Sequence, residues 1–500
     1  MFFKEEGKTM KKAVVAGAGL GGLASAITLA SKGWDVTVIE KNSHPGGKLM
    51  PVALGSYQFD FGPNTITMPQ VFERVFQYAG KRMSDYLEFI KLDQHTVNFF
   101  PDGTHFYFSS DADAMKKQLK NLDPKGYENY DRFLAEITRL YKLSETHFFP
   151  RMFKSVLDYA SPSLSYAFMK VRPLETMDHF FRRYFGNEHV VQAFNRYATY
   201  IGSSPYQSPA TFAMIAYLEL VQGVFYVKGG NTRIAEAYFS LAKEMGVQFL
   251  MNTKVQELQV SNKRINTVLL ANGHELTADE VVLNADLLKA YPELIAETDR
   301  PKFTDKKRNS YSPSISAFVI TAGIEGKIEK LAHHSVFFSS DYRKEFEDLF
   351  SSQSYSEDPT IYISNSSFSD PAQAPDGSNL FILVNAPPLT EEGRLQISPQ
   401  RYKTLIYETL EKRGISLTGR IKEERLFTPL DIQDTFGAYR GALYGISANK
   451  KWDAFMRPGN FPADIQNLSF AGGSTHPGGG SPMVTMSGMN VGEEIAGRKR

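Results

Sequence analysis

The stretch AVVAGAGLGG, residues 13–22, decides the fold. Its first four residues are small and apolar and predict a buried strand, and Gly17, Gly19 and Gly22 follow in the spacing G-x-G-x-x-G. The next segment predicts a helix, because its apolar residues recur on one helical face: Leu20, Leu23, Ala24, Ile27 and Ala30. A strand, a glycine turn and a helix in this order are typical of a βαβ unit that binds a dinucleotide.

The unit continues with a second strand, DVTVI at residues 35–39, which ends at Glu40. Glu40 lies 23 positions after Gly17, where a carboxylate accepts hydrogen bonds from an adenosine ribose. The glycines allow a tight bend, close approach of a pyrophosphate and packing of helix on strand. Gly21 belongs to the same predicted cofactor-binding turn. The helix N-terminus that follows offers free N–H groups and a partial positive charge to the phosphates of the cofactor. A glycine turn without a ligand is the alternative.

The residues after Glu40 bear on which dinucleotide is bound. Lys41 follows directly, and the sequence then reads HPGGK at residues 44–48. The glycine pair Gly46-Gly47 allows a loop to fold over the phosphates of an extended cofactor, and Lys48 suits ion pairing with an anion there. An ordinary turn is the alternative interpretation of this glycine pair.

Together with FDFGP at residues 59–63, these elements resemble the N-terminal signature of the amine-oxidase and phytoene-desaturase type of flavoprotein. The resemblance implies FAD as the cofactor, with Gly46, Gly47 and Gly62 along it. It also implies an α/β fold, in which a Rossmann-type FAD-binding domain is combined with a discontinuous α+β substrate domain.

The C-terminal stretch NLSFAGGSTHPGGGSPMV, residues 467–484, is an independent match to this type of protein. It predicts a strand, a glycine-rich loop and then a helix, with Ser481 as the cap and Pro482 as the first helical residue. In the resembling flavoproteins this helix N-terminus faces the flavin, where its partial positive charge stabilises the anionic reduced form. The resemblance therefore adds three residues to the cofactor site: Gly473, Met483 and Val484.

Between these two ends, Gly229-Gly230 and the helical pattern of residues 231–245 resemble the family's return to the cofactor domain. The resemblance implies that the backbone of Val255 lies beside the adenine. The FAD-binding domain is expected at residues 10–85, 226–300 and 420–500. The substrate and membrane-facing domain is expected at residues 86–225 and 301–419.

Composition excludes several classes of protein. Lys plus Arg number 56 and Asp plus Glu 55, which argues against a nucleic-acid partner. The absence of cysteine excludes disulfides, thiolate metal sites and a cysteine nucleophile, and no His-x-Glu or His-x-x-x-His spacing indicates a metal.

The apolar run at 212–227 is interrupted by Glu219 and Gln222 and is too short to span a bilayer. Residues 1–12 are read as a loose leader, in which Met10 is an alternative start.

Aromatic residues make up 13% of the chain and are concentrated at residues 147–185. Six basic residues face three acidic ones in this segment. A basic, aromatic, helical segment is typical of a membrane interface, and a helical lid that packs on its own domain is the equal alternative. A cytoplasmic protein, peripheral on the inner face of the cell membrane, is the expected location. The aromatic residues of the segment are Phe148, Phe149, Phe153, Tyr159, Tyr166, Phe168, Phe180, Phe181, Tyr184 and Phe185.

The resemblance covers essentially the whole chain and is closest to the bacterial carotenoid desaturases and oxidases. The run GGSTHPGGGSPMVT at residues 472–485, with Gly479 inside its glycine triplet, favours the terminal-methyl oxidases of the 4,4'-diaponeurosporene oxygenase type. Four shorter segments are similar to the same group: residues 67–69, 83–86, 99–104 and 202–204. This implies a linear carotenoid substrate. Desaturation of a carotenoid, non-enzymatic isoprenoid binding and soluble amine oxidation are the alternatives.

The chemistry implied is loss of a hydride from an allylic methyl group, which leaves a cation spread over the polyene. Addition of oxygen and a second oxidation then give an aldehyde, whereas loss of a proton gives a new double bond. No catalytic residue is assigned: His476 is a candidate, and a structural residue before Pro477 is the alternative. Tyr439 and Tyr444 are candidates for the substrate cavity.

Overall fold

A computed structural model describes residues 10–153, 161–450 and 455–498. Most of the predicted leader, and Tyr159 of the aromatic segment, lie outside these residues.

The strands are β1 (Lys12–Ala16), β2 (Asp35–Ile39), β3 (Met50–Leu54), β4 (Tyr57–Phe61), β5 (Phe89–Leu92), β6 (Gln94–Phe99), β7 (His105–Ser109), β8 (Val224–Val227), β9 (Gln248–Leu250), β10 (Val255–Ser261), β11 (Arg264–Leu270), β12 (Glu275–Leu276), β13 (Glu280–Leu283), β14 (Ser316–Glu325), β15 (His334–Phe337), β16 (Ile361–Asn365), β17 (Gly377–Ala386), β18 (Ile421–Phe427) and β19 (Leu468–Phe470).

The α-helices are α1 (Leu20–Ser31), α2 (Pro69–Tyr78), α3 (Ala112–Leu122), α4 (Pro124–His147), α5 (Pro162–Lys170), α6 (Met177–Tyr184), α7 (Glu188–Asn195), α8 (Ile215–Tyr217), α9 (Arg233–Glu244), α10 (Leu287–Leu294), α11 (Asp305–Ser310), α12 (Tyr342–Glu347), α13 (Pro399–Lys412), α14 (Pro429–Phe436) and α15 (Ser481–Gly497). Short 3₁₀ helices include Arg196–Ile201, and Leu218–Gln222 forms a π-helix.

A five-stranded sheet in the order β19-β13-β1-β2-β9 carries the predicted nucleotide-binding unit. The pairings of β1 with β2, of β1 with β13, of β2 with β9 and of β13 with β19 are all parallel. The strand and helix predicted around the first glycine turn are thus confirmed as β1 and α1. In parallel sheets the strand ends meet at one edge, and this edge is where ligands of doubly wound folds bind.

Helix α15 packs closely along α1 because small residues lie where the two helices meet. A Cβ on Gly488 would lie 2.1 Å from the carbonyl oxygen of Gly21, and one on Gly492 would lie 2.8 Å from Cβ of Thr28. The two chain ends are thereby joined, so the N-terminal glycine turn and the C-terminal glycine loop lie side by side.

The second sheet has seven strands in the order β18-β14-β17-β16-β15-β6-β7. Most of its strands come from the two segments expected to form the substrate domain. Strand β18 is different: it lies within the segment 420–500 yet pairs with β14. The chain therefore passes from one sheet to the other after β18, and the proposed division into domains stays a prediction.

The aromatic segment contributes mainly to a hydrophobic core. Three of its arginines form ion pairs with acidic side chains: Arg172 with Glu136, Arg182 with Asp178, and Arg183 with Glu175. Side chains that remain well exposed are Tyr166, Met169 and Leu174. In the described part of the chain, no helix is both long and apolar enough to cross a bilayer. The buried aromatic residues of the segment are Phe148, Phe149, Phe153, Phe180, Phe181, Tyr184 and Phe185.

Candidate active site

A cleft of about 910 Å³ opens at the strand ends of the parallel sheet and extends to the face of the seven-stranded sheet. Most of the residues predicted from the sequence to bind the cofactor line it. They are Gly17, Gly19, Gly21, Glu40, Lys41, Gly46, Gly47, Lys48, Gly62, Val255, Gly473 and Val484, and Tyr444 of the substrate-cavity candidates lines it too. We call this space the cofactor cleft.

Three of the residues that were predicted to form the site do not line the cofactor cleft: Gly22, Met483 and Tyr439. Gly22 is buried at the start of α1, and a Cβ there would lie 2.1 Å from the carbonyl oxygen of Gly17. Its role is close packing of helix on strand, as predicted for one glycine of the motif. Met483 packs against the hydrophobic core that contains α1. Tyr439 lies at the start of α10, where its backbone N–H donates to Asp286 Oδ2 over 3.1 Å.

Asn284, just after β13, explains why the first two glycines lack side chains. Its amide Nδ2 donates to the carbonyl oxygen of Ala471 over 2.7 Å, which holds the side chain between the two glycine loops. A Cβ on Gly17 would lie 2.3 Å from the Asn284 carbonyl oxygen, and one on Gly19 would lie 2.7 Å from Asn284 Oδ1. Sequence reasoning missed this role of Asn284, because the residue stands far from both glycine loops in the chain.

Glu40 is held rigidly at the rim of the cofactor cleft. Its carboxylate accepts the backbone N–H of Ala18 at Oε2 and that of Asn42 at Oε1, both over 2.8 Å. The remaining lone pairs are available to ribose hydroxyl groups. Lys41 reaches across to α14, where its ammonium group donates to the carbonyl oxygen of Asp434 over 3.0 Å. Burial lowers the pKa of Lys41.

Lys48 joins the second glycine loop to the far side of the cleft. Its Nζ donates to the carbonyl oxygens of Leu443 over 2.6 Å and of Ala442 over 3.1 Å. Burial lowers the pKa of Lys48, while the nearby Asp286 carboxylate opposes this shift. The ammonium group therefore has carbonyl partners in the protein, and its pairing with a cofactor phosphate stays a prediction.

The start of α15 differs from the prediction. Gly480, with φ of 104°, occupies the position before the helix, and Ser481 is its first residue, so the expectation that Ser481 caps the helix is wrong. The positive φ of Gly480 lets the loop turn sharply into the helix. Ser481 lines the cleft, and its buried Oγ has no hydrogen-bond partner among the described residues.

These features fit a dinucleotide cofactor. Gly19 and Gly46 form an isolated parallel bridge, and a Cβ on Gly47 would lie 3.2 Å from Cα of Gly19, so bare backbone faces the cleft. Glu40 is placed for a ribose, and the unpartnered Ser481 hydroxyl is placed for a polar ring edge. Backbone N–H groups at the start of α1 are placed for phosphates.

One wall of the cleft is apolar. The ring of Phe61 lies 5.2 Å from that of Phe436, in a stacked arrangement, and 5.9 Å from that of Phe381, edge to face. Tyr444 completes this wall beside Gly479, and burial raises the pKa of its hydroxyl to about 12. The wall also includes Ala317, Val319, Leu383 and Leu443.

His476, the catalytic candidate, lies outside the cleft lining. Its Nε2 is 2.7 Å from the carbonyl oxygen of Phe148, and its ring packs edge to face on Phe153 at 4.7 Å. Burial lowers the pKa of His476 to about 4, so the ring is neutral at pH 7. These contacts favour the structural alternative. In the described ranges, no group of three or more His, Cys, Asp or Glu side chains is arranged to hold a metal.

Residues 20–496 match the sequence model of the family described as flavin containing amine oxidoreductase. The chain therefore belongs to this family of flavin-dependent oxidoreductases, and the resemblance and the fold class predicted from the sequence are confirmed.

Individual relatives show how far the likeness extends. The 4,4'-diapolycopene oxygenase of Methylomonas sp is 36% identical over 492 residues, which cover 97% of this chain and 98% of that protein. The 1-hydroxycarotenoid 3,4-desaturase of Flavobacterium sp. (strain P99-3) is 34% identical over 483 residues, with 96% and 97% coverage. A solved structure of putrescine oxidase matches 98% of this chain and 99% of its own at a TM-score of 0.62. Its 12% identity shows a shared fold alone.

Proposed function

We propose that the protein is an FAD-dependent carotenoid oxidoreductase that oxidises the terminal methyl group of a linear apocarotenoid, of the diaponeurosporene or diapolycopene type, to an aldehyde. The observation that carries the proposal is the cofactor cleft itself, in which a dinucleotide cradle leads directly to an aromatic, apolar wall. A polar substrate would leave this wall without matched partners, whereas a polyene end matches it. The relatives named as carotenoid oxygenase and carotenoid desaturase support the same substrate class.

FAD is the flavin that the cleft suits, because its lining runs from an adenosine subsite to the apolar wall. In this proposal Glu40 binds the ribose, the backbone of Val255 adjoins the adenine, and the start of α1 binds the pyrophosphate. The N-terminus of α15, with Ser481 and Val484, adjoins the flavin ring. When bound, FAD supplies hydride-accepting chemistry.

The chain's own contribution to the reaction is mainly positional. Phe61, Phe381 and Phe436 line the space proposed for the reacting end of the substrate. Their ring faces stabilise positive charge on a polyene, an effect worth about 2 kcal/mol when the charge is desolvated. Because His476 is neutral and faces Phe148 and Phe153, we assign no general base.

Desaturation of a carotenoid is the second candidate, and the 34% identity to a carotenoid desaturase favours it. The two outcomes differ in the fate of the cation, which either gains oxygen or loses a proton. Exposure of the reacting carbon to an oxygen source therefore decides between them, and the product is the discriminating observation.

The test is expression in a host that makes diaponeurosporene, followed by pigment analysis, with the purified flavoprotein assayed in parallel. We expect a polyene aldehyde that carries label from labelled water or labelled dioxygen. A matched control is Gly22→Ala, whose Cβ would collide with Gly17 backbone and abolish the flavin site. A product with more double bonds and no label would establish the desaturase alternative, and unchanged pigment would contradict both.

We further propose that the protein is cytoplasmic and lies on the inner face of the cell membrane, from which it draws its substrate. Tyr166 and Met169 of α5 and the nearby Leu174 are 55%, 70% and 68% exposed. Lys170, on the same surface, lies 5.6 Å from the centre of the Tyr166 ring. Apolar side chains flanked by a cation are suited to a headgroup boundary.

A further inference from the structure

A cluster of charged and polar side chains is buried on the seven-stranded-sheet side of the molecule. Its members come from β6, from the 3₁₀ helix Arg196–Ile201 and from the π-helix Leu218–Gln222. Glu219 and His95 are fully buried, and Arg196 is 6% exposed. Burial of a charged group is costly unless its donors and acceptors are paired. We call this group the Arg196 cluster: His95, Arg196, Tyr197, Tyr200 and Glu219.

The carboxylate of this cluster is well satisfied. Glu219 Oε2 accepts the hydroxyl proton of Tyr197 over 3.0 Å, and Oε1 accepts that of Tyr200 over 2.5 Å. His95 Nδ1 is 3.7 Å from Glu219 Oε2. Burial lowers the pKa of His95 to about 4, so this ring is neutral at pH 7. Both carboxylate oxygens of Glu219 therefore accept a hydrogen bond from a tyrosine hydroxyl group.

The guanidinium of Arg196 is poorly satisfied by comparison. Its Nη2 is 3.5 Å from the Tyr200 hydroxyl, which donates its own proton to Glu219 and so can only accept from Arg196. Its Nε is buried and has no hydrogen-bond partner within the described ranges. A guanidinium has five N–H donors, and buried donors are normally paired. Arg196 thus has a buried Nε–H donor without an acceptor and a second donor, Nη2, with only a long hydrogen bond.

The Arg196 cluster lies close to the apolar wall of the cofactor cleft. The 3₁₀ helix that begins at Arg196 ends before Gly202, where a Cβ would lie 2.6 Å from the ring of Tyr444. Tyr444 lines the cleft. On a second path, the Tyr200 hydroxyl is 3.5 Å from Thr65 Oγ1, two residues after the cleft-lining Pro63. Arg196 itself is not among the residues that line the cleft, but these two contacts place its cluster close to the side where the substrate end is expected.

We propose that Arg196 binds an oxygen atom, of a hydroxyl or carbonyl group, at the end of the polyene substrate. The protein would then bind oxygenated polyene ends in preference to the corresponding hydrocarbon ends. This inference rests on the proposed function in taking a polyene as the ligand. A site built to hydrogen-bond an oxygen discriminates against an analogue that lacks it, because the analogue leaves the buried donors unpaired. Arg196 is therefore a specificity-determining residue.

The test compares two probes, a linear polyene aldehyde and the matching methyl-ended hydrocarbon, each presented in detergent micelles to the flavin-loaded enzyme. We expect the absorption of the bound aldehyde to shift to longer wavelength in the wild type, because a cation at the carbonyl oxygen polarises the polyene. In Arg196→Met this shift is lost and the aldehyde binds about 10- to 100-fold more weakly, the loss typical of one hydrogen bond to a charged group. Binding of the hydrocarbon changes by less than about twofold.

Two conservative variants keep the test decisive if Arg196→Met does not load flavin. Arg196→Lys retains the charge without the planar guanidinium, so we expect a smaller spectral shift at unchanged flavin content. Tyr200→Phe retains Arg196 and its volume, so the shift is expected to persist. An equal loss of affinity for both probes, or a spectral shift that is the same in wild type, Arg196→Met and Arg196→Lys, would overturn the inference.

The outcome separates this inference from the proposed function. If the wild type binds the aldehyde with an Arg196-dependent shift yet converts no carotenoid, the proposed reaction fails and the Arg196 site stands. If the wild type oxidises methyl-ended carotenoids while Arg196→Met affects both probes equally, the reaction stands and the Arg196 site fails.

Discussion

At the scale of single residues, Asn284 sets the shape of the cofactor cradle. Gly19 has φ of −69°, a conformation open to any residue, so its lack of a side chain is a matter of space. The space is taken by Asn284 Oδ1, which is fixed by the bond from Nδ2 to Ala471. The glycine motif in this chain thus accommodates a protein side chain, in addition to the cofactor phosphate that we propose for it.

This arrangement predicts a coupling between two positions. Gly19→Ala is expected to lower the free energy of unfolding by about 1–3 kcal/mol, the usual cost of overpacking. In an Asn284→Ala background the same change is expected to cost at least about 1 kcal/mol less, because its collision partner is gone. Chemical denaturation of the four proteins measures this difference.

Gly17→Ala is the matched control for this cycle, because its Cβ would meet the backbone carbonyl oxygen of Asn284, which stays in place in Asn284→Ala. Asn284→Ala is expected to rescue none of its loss. Equal costs of Gly19→Ala in both backgrounds would contradict the coupling.

Residue-scale properties were the least predictable from the sequence. The glycine positions and Glu40 follow from a spacing, and the structure brings most of them to one cleft. Glu219 was noticed only as an interruption of an apolar run, yet it is fully buried. Its hydroxyl partners lie 22 and 19 positions away in the chain, and spacing alone does not show such contacts.

At the scale of elements, the packing of α15 on α1 joins the two ends of the chain. The strand, the helix and the C-terminal loop were predicted correctly, whereas the first helical residue was not. Ser481 is a good cap by residue type, but the loop approaches the helix through a positive φ that Gly480 accepts easily. The direction from which a loop enters a helix depends on the neighbouring elements.

The α1–α15 contact predicts a strong difference between two glycines of one helix. Gly488→Ala would place a Cβ 2.1 Å from the Gly21 carbonyl oxygen and separate the helices. We expect a fall in melting temperature and in bound flavin, since both glycine loops of the cleft depend on this contact. Both quantities are measured on protein purified with excess FAD.

Gly497→Ala, in the last turn of the same helix, is the matched control because a Cβ there meets no atom within 4 Å. It is expected to leave flavin content unchanged and to be neutral or stabilising by up to about 1 kcal/mol. Equal flavin content in Gly488→Ala and wild type would show that the helix contact does not support the site.

At the scale of the whole molecule, the aromatic segment 147–185 has a buried part and an exposed part. Most of its described rings are buried, and Arg172, Arg182 and Arg183 are paired with acidic side chains, so the segment is largely a core element, as the lid alternative expects. Composition could not distinguish these rings from exposed ones, because burial depends on helices α4, α6 and α7 packing around them. What remains outside is a small surface formed by Tyr166, Met169 and Leu174, which we call the apolar patch.

The apolar patch predicts where the protein meets a bilayer. Changing Tyr166, Met169 and Leu174 together to serine removes the apolar surface without touching the cleft. We expect about 10-fold or weaker partitioning onto vesicles of anionic phospholipid in a flotation assay, because each large side chain contributes up to about 1.5–3 kcal/mol when buried. Turnover of carotenoid embedded in vesicles is expected to fall in proportion, whereas turnover of carotenoid in detergent micelles is unchanged.

Phe368→Ser supplies the control, because Phe368 is also well exposed, at 61%, but lies in a separate 3₁₀ helix at Ser366–Phe368. A general effect of surface apolarity would weaken vesicle binding in both variants, whereas a specific docking surface weakens it only in the triple serine variant. If the triple variant floats with vesicles as wild type does, the bilayer contact lies elsewhere. In the expected outcome, turnover falls with vesicles and stays the same with micelles. This difference shows that the apolar patch serves delivery of the substrate and that the chemistry in the cofactor cleft does not depend on it.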